Sequence, residues 1–153
     1  MPAPSWNDLT PEQRCILYEG ITGSSLVDIL NSWVAVSHPE DGPYWNRKGG
    51  YVGPLAEAAC SLIRSGLIEV WEEPAGVGEG GLMLAGPALE AVRDHENWWR
   101  FDPDDTGDPE EAATRHEALA GTATDPMTTM YIVITSDQAR DRGLVRLPFW
   151  DNP

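Results

Sequence analysis

The chain has 153 residues, of which 41% are hydrophobic and 8% aromatic, enough for one hydrophobic core and too many for a disordered or collagen-like chain. Ten Lys and Arg stand against 25 Asp and Glu, giving a formal net charge of −15, which argues against non-specific affinity for nucleic acid. No apolar run reaches the roughly 18 residues of a membrane span, and residues 1–5 do not resemble a signal segment. We therefore expect a cytoplasmic protein with no membrane partner.

Apolar residues at helical spacing, bounded by capping residues, predict three helices in the first part of the chain. The first begins at Thr10, whose hydroxyl can cap the helix, followed by a proline at the first helical position and by Gln13 as the reciprocal partner of the cap. The second begins at Ser24 or Ser25, and the third opens at Pro54 and stops before Gly66.

A β-hairpin and a fourth helix are predicted next. Apolar and acidic residues alternate from Leu67 to Glu72 as in a half-buried strand, and a glycine-rich loop then leads to a second strand at Leu82 to Leu84. The fourth helix starts near Ala88 and ends near Trp98.

The last part of the chain predicts a linker and a short tail. Residues 102–108 are acidic and contain proline and glycine, as expected of a solvated loop. Beyond them we expect a helix over residues 109–120, a strand at Met130 to Ile134, where the apolar residues are mostly β-branched, and a short helix capped by Ser136 or Asp137. Because a tail of this size buries little surface by itself, we expect it to pack on the first unit or on a second copy of the protein in a homodimer.

No catalytic, cofactor or metal site is predicted. The three histidines lie on separate predicted elements without zinc-ligand spacing, and the sequence lacks a nucleophile elbow and nucleotide-binding glycine motifs. Residues 102–108 match the start of a calcium loop, but its twelfth position is Ala113 where such a loop needs Glu. Cys15 and Cys60 fall on apolar helix faces, which favours buried thiols over a disulfide. We therefore do not expect an enzyme.

The order of predicted elements over residues 10–97 resembles the winged-helix fold. Residues 62–70, Leu-Ile-Arg-Ser-Gly-Leu-Ile-Glu-Val, are similar to a recognition helix running into the first wing strand. Residues 82–89, Leu-Met-Leu-Ala-Gly-Pro-Ala-Leu, are similar to the second wing strand entering the next helix. The resemblance implies an α+β fold: a winged-helix-like domain (1–101) with three helices, a hairpin wing and a fourth helix, an acidic linker (102–108) and a small α/β extension (109–153).

Winged-helix domains bind DNA or other proteins, and two features of this sequence favour protein. DNA-binding members join their second and third helices by a turn of roughly 3–4 residues, whereas residues 38–53 intervene here. The third helix carries Arg64 as its only basic residue, and the predicted wing contains Glu72, Glu73 and Glu79, where DNA-binding members contact phosphate.

Two groups of aromatic residues are candidate contact surfaces, because aromatics and Arg are enriched at interfaces. The first, in the inserted loop, combines adjacent basic residues with flanking aromatics: Tyr44, Trp45, Arg47, Lys48 and Tyr51. The second is an apolar interface formed by Trp98, Trp99, Phe101 and Trp150. The alternative in both cases is packing within the protein, with the loop aromatics covering the three-helix core and the tryptophans joining the tail to the fourth helix.

These observations favour a non-catalytic acidic protein-binding module, such as an inhibitor, an immunity protein or a sequestering regulator, that acts on a basic partner. The alternative is a transcriptional regulator that binds DNA as a dimer through Arg47, Lys48 and Arg64.

Overall fold

The computed structural model describes residues 5–41, 49–74, 83–99 and 129–145, which contain six helices and one four-stranded antiparallel sheet. The helices are α1 (Pro11–Glu19), α2 (Leu26–Ser37), α3 (Val52–Arg64), α4 (Ala88–Arg93), α5 (Glu96–Trp99) and α6 (Asp137–Asp141). The strands are β1 (Ser24–Ser25), β2 (Ile68–Pro74), β3 (Met83–Leu84) and β4 (Thr129–Thr135). Single 3-10 turns occupy Trp6–Asp8, Pro39–Asp41 and Gly49–Tyr51. The predicted α+β class is confirmed.

The predicted start of the first helix is confirmed in atomic detail. The Gln13 backbone N–H donates to Thr10 Oγ1 at 3.2 Å, and the Thr10 backbone N–H donates to Gln13 Oε1 at 2.9 Å. Ser25 caps α2 through a single bond of this kind, its hydroxyl accepting from the Asp28 N–H at 3.2 Å. α1 and α2 therefore begin where their side chains satisfy otherwise unpaired backbone donors.

Two other helix boundaries differ from the prediction. α3 begins at Val52, two residues before Pro54. Proline is tolerated there because the N–H that it lacks would have no partner in the first turn of the helix. The predicted fourth helix is two helices: the backbone of Asp94 is extended, and its carboxylate accepts from the Glu96 N–H at 3.1 Å to start α5. The third helix ends as predicted, with Gly66 at φ +72°.

β4 lies in the middle of the sheet, although it comes from the C-terminal tail. The strand order is β1, β4, β2, β3, with every neighbouring pair antiparallel. β4 pairs with β2 along its full length, from Ile68 opposite Thr135 to Pro74 opposite Thr129. On its other side it pairs with β1, a strand that the sequence pattern does not predict. The predicted strand at Met130 to Ile134 and the hairpin of β2 and β3 are confirmed.

The core lies between the helices and one face of the sheet. α1 and α2 contact β4, while α3 and α4 contact β2. The strands contribute Ile68, Val70 and Val133 to this core, all at most 3% exposed. Cys15 and Cys60 are buried in it as free thiols, as predicted, and burial raises the pKa of the Cys15 thiol far above its usual range.

The C-terminal end of β4 is fixed to the helical layer through Thr135, which is 1% exposed. Its hydroxyl donates to Leu17 O at 2.6 Å, and its backbone N–H donates to Gly20 O at 2.9 Å. The next N–H, of Ser136, donates to Leu67 O at 3.0 Å. A Cβ at Gly20 would lie 2.4 Å from Thr135 Oγ1, so only glycine allows this close approach.

Candidate functional site

The face of the sheet that points away from the core is lined by apolar side chains. Successive side chains of a strand alternate between faces, and directly paired residues share a face. Because Ile68, Val70 and Val133 face the core, the alternate positions form the opposite surface. We call this surface the outer face; its apolar residues are Trp71, Leu84, Met130, Ile132 and Ile134, and its acidic residues are Glu69 and Glu73.

Trp71 occupies the centre of the outer face. It pairs with Ile132 of β4 on one side and with Leu84 of β3 on the other. Its indole N–H donates to Glu69 Oε2 at 3.1 Å, which satisfies the only polar atom of the ring. Leu84 is 60% exposed, and the side chains of Trp71 and Ile132 are partly exposed. The apolar surface therefore runs across three strands.

The edge of the outer face beside β1 is formed by a turn with a required glycine. Gly23 has φ +80°, a conformation that L side chains rarely adopt. A Cβ built there would lie 3.5 Å from Ile132 Cγ2 and 3.9 Å from Ile134 Cγ1. The backbone before β1 therefore lies directly beside the two isoleucines.

An exposed sheet face is ordinarily polar, since antiparallel strands alternate apolar residues toward the core with polar residues toward water. β4 departs from this pattern, because Met130, Ile132 and Ile134 alternate with core-facing residues and are themselves apolar. This continuous apolar run is the sequence signal that could have identified the outer face. A strand that is apolar on both faces indicates a sheet with a contact on each side.

Only Tyr51 of the predicted loop surface lies in the described part of the chain; Tyr44, Trp45, Arg47 and Lys48 lie outside it. The Tyr51 hydroxyl donates to Asp41 Oδ2 at 2.5 Å, and its ring stacks on the His38 imidazole with centroids 4.3 Å apart. The ring also packs against the hydrophobic core. Tyr51 thus links the end of the Pro39–Asp41 turn to the start of α3.

The predicted apolar interface is described only in part. Trp98 is fully buried, and its indole N–H donates to Val92 O at 2.8 Å, so this side chain belongs to the core and offers no surface. The side chain of Trp99, together with Phe101 and Trp150, lies outside the described residues.

Acidic groups dominate the surface of the described residues. These ranges contain fifteen Asp and Glu, none of them buried, and five Arg as their only Lys or Arg residues. One of the five, Arg14, is buried: its Nη2 donates to Trp6 O at 3.0 Å, and its guanidinium lies 4.4 Å from the centroid of the Trp6 ring. On α3, the exposed side chains include both Glu57 and Arg64. The described surface is therefore strongly negative.

Two titratable groups of the described residues are perturbed by partial burial. Burial raises the pKa of Glu19 at the end of α1, and the negative charge of Asp28 adds to this, while hydrogen bonds with Ser24 and Ser32 oppose it. Burial also raises the pKa of Tyr131, with a further contribution from the carboxylate of Glu72, its partner across β2 and β4.

Within residues 5–41, 49–74, 83–99 and 129–145, no group of three or more His, Cys, Asp and Glu side chains is placed to hold a metal ion. None of the helices in these same ranges combines the length and the apolar character that a membrane span requires. Comparisons with protein-family models, curated proteins and solved structures give no match to this chain.

Proposed function

We propose that this protein is a non-catalytic acidic protein-binding module, of the inhibitor, immunity or sequestering kind, that acts on a basic protein. The observation that carries the proposal is the charge of the described surface, where fifteen unburied carboxylates outnumber five arginines and one of those arginines is buried. A field of one sign raises the association rate with an oppositely charged partner and disfavours partners of the same sign.

The same charge disfavours nucleic acid. Affinity for a phosphate backbone comes mainly from Lys and Arg side chains that neutralise it. The exposed side of α3, which would be the recognition helix of a winged-helix reader, combines Arg64 with Glu57. A DNA duplex at this helix would therefore meet one attractive and one repulsive charge.

The order of α1, α2, α3, β2 and β3 supports a winged-helix-like unit, to which the protein adds a strand from its tail between β1 and β2. This order also supports the alternative of a dimeric DNA-binding regulator that uses Arg47, Lys48 and Arg64. The double variant Arg47→Ala, Lys48→Ala tests that alternative. A DNA reader would lose affinity and show a flatter salt dependence in this variant, whereas unchanged DNA binding would dismiss the role of these residues.

The proposed function is tested by affinity capture with the full-length chain. The tagged protein is incubated with lysate of the source cells, with and without nuclease, and retained molecules are identified by mass spectrometry and nucleic-acid sequencing. The proposal predicts a stoichiometric, nuclease-resistant protein with excess Lys and Arg. Retention of DNA with a defined sequence, or of proteins that all disappear with nuclease, would contradict it.

A further inference from the structure

We propose that the outer face is the surface that contacts this partner, and that the partner presents a segment whose apolar side chains are flanked by Lys or Arg. The inference rests on the proposed function and assigns it a place on the fold. Its occupant is thus a basic amphipathic segment of another protein, with Trp71 as the central contact on this chain.

The outer face has the residue composition of an interface, and its residues do not belong to the described core. Its apolar residues lie on the side of the sheet opposite Ile68, Val70 and Val133, so they face away from the helical layer. Trp71 and Ile132 remain partly exposed, and Leu84 is 60% exposed. Contiguous apolar surface of this kind marks an interaction site, and tryptophan is among the residues that most often dominate binding energy.

The charges of the outer face select a basic occupant. Glu69 and Glu73 lie on either side of Trp71 along β2, and the four described strands contain no Lys or Arg. A Lys or Arg beside the apolar contact would pair with these carboxylates as they lose water. A second copy docked face to face would instead bring four glutamates together without a counter-charge, which is unfavourable. Charge complementarity therefore favours a basic partner over self-association.

The dimensions of the outer face suit one helix of the partner. Neighbouring strands are about 4.8 Å apart, so the row Ile132, Trp71 and Leu84 across β4, β2 and β3 spans about 10 Å. A helix rises about 1.5 Å per residue, so its positions i to i+7 extend over about 10 Å along the helix axis. Apolar residues at positions i, i+3, i+4 and i+7 of such a helix would cover the row and place flanking Lys or Arg beside the glutamates.

The test uses two synthetic peptides with the full-length chain. One peptide has Leu at helical spacing and Lys at the flanking positions; the other has the same Lys residues with Ser in place of Leu. Fluorescence anisotropy of the labelled peptides gives their affinities. We expect the parent to bind the Leu/Lys peptide at least roughly tenfold more tightly than the Ser/Lys peptide.

Matched variants locate the contact. Trp71→Thr with Leu84→Thr should abolish the preference for the Leu/Lys peptide, whereas Val36→Thr, at a 37% exposed site on α2, should preserve it. Threonine is chosen because it retains the β-propensity of the strands.

Charge variants form a second matched pair. Glu69→Gln with Glu73→Gln should weaken peptide binding roughly three- to tenfold at low salt. Glu57→Gln with Glu90→Gln, which removes the same charge from exposed positions on α3 and α4, should weaken it less than about twofold. Equal losses in the two pairs would show that only the overall charge acts, and would overturn the assignment of the outer face.

Other occupants of the outer face give different results. A dimer in light scattering that Trp71→Thr with Leu84→Thr converts to monomers would overturn the proposal in favour of a second copy. A large drop in the melting temperature of that variant, with no change in peptide affinity, would overturn it in favour of burial by the chain itself. If the parent binds both peptides equally, or binds neither, the assignment of the outer face is wrong. The acidic module itself fails only if affinity capture recovers no nuclease-resistant basic protein.

Discussion

The attachment of β4 to the helices through Thr135 leads to a quantitative stability prediction. Thr135→Val keeps the shape and β-branching of the side chain but removes the hydroxyl that donates to Leu17 O. Since residue 135 is 1% exposed, water cannot readily replace the lost donor at the carbonyl. Leaving one buried polar group unsatisfied costs about 1–3 kcal/mol.

We expect Thr135→Val to lower the free energy of unfolding by about 2 kcal/mol. For a chain of this size that corresponds to a fall in melting temperature of roughly 4–8 °C. Urea unfolding monitored by circular dichroism and by tryptophan fluorescence measures the change. Thr22→Val, the same replacement at an exposed turn position, is the control and should change stability by less than about 0.5 kcal/mol. Equal stabilities for the two variants would refute the role assigned to the buried hydroxyl.

Three further predictions concern the described core and its titratable groups. Gly20→Ala should destabilise the protein by about 1–3 kcal/mol through overpacking. The double variant Gly20→Ala, Thr135→Ala should lose less unfolding free energy than the two single variants together, because the Oγ1 atom that a Cβ would meet at 2.4 Å is gone. Additive losses in a double-mutant cycle would contradict this contact. Burial raises the pKa of Glu19, so the protein loses stability as pH rises from the pKa of this group in the unfolded chain to its pKa in the folded protein. Glu19→Gln removes this loss and should therefore raise the melting temperature more at pH 7 than at pH 4. An equal effect at both pH values would refute the raised pKa. Cys15 and Cys60 should react with a thiol reagent only after unfolding, and rapid modification of either in the native protein would show that it is not buried.

The features that the sequence predicts best are the helix caps and strands that depend on interactions between residues close together in the chain. The capping box of Thr10 and Gln13, and the cap at Ser136, which accepts from the Ala139 N–H at 3.3 Å, each involve groups three residues apart. The strand at Met130 to Ile134 was identifiable because its apolar residues are mostly β-branched. These elements are fixed by their own residues.

Long-range pairing could not be predicted in the same way. β1 consists of Ser24 and Ser25, which as isolated residues indicate a helix cap, and they become a strand only because β4 supplies their partners at Ile132 and Val133. The hydrogen bond between Thr135 and Leu17 joins residues 118 positions apart in the sequence, and no local sequence pattern predicts it. The central place of β4 therefore follows from tertiary packing.

The candidate site shows the same division. Composition alone gives the acidic charge, because net charge needs no structure, whereas the basic partner stays a prediction. The position of the proposed contact depends on which face of β2 the helices cover. The alternation of Ile68 and Val70 with Glu69 and Trp71 indicates a half-buried strand, but the register of β4 is needed to place Ile132 beside Trp71. Conversely, Trp98 is chemically suited to an interface, and only the fold shows that it is buried.

The most direct test of the acidic-module account is the association rate of the purified protein with the partner recovered by affinity capture, measured by stopped flow between about 50 and 500 mM NaCl. Electrostatic steering toward a basic partner predicts that this rate falls roughly tenfold or more across the range, while the dissociation rate changes much less. An association rate that does not change with salt would contradict the claim that the negative surface of this protein directs it to its partner.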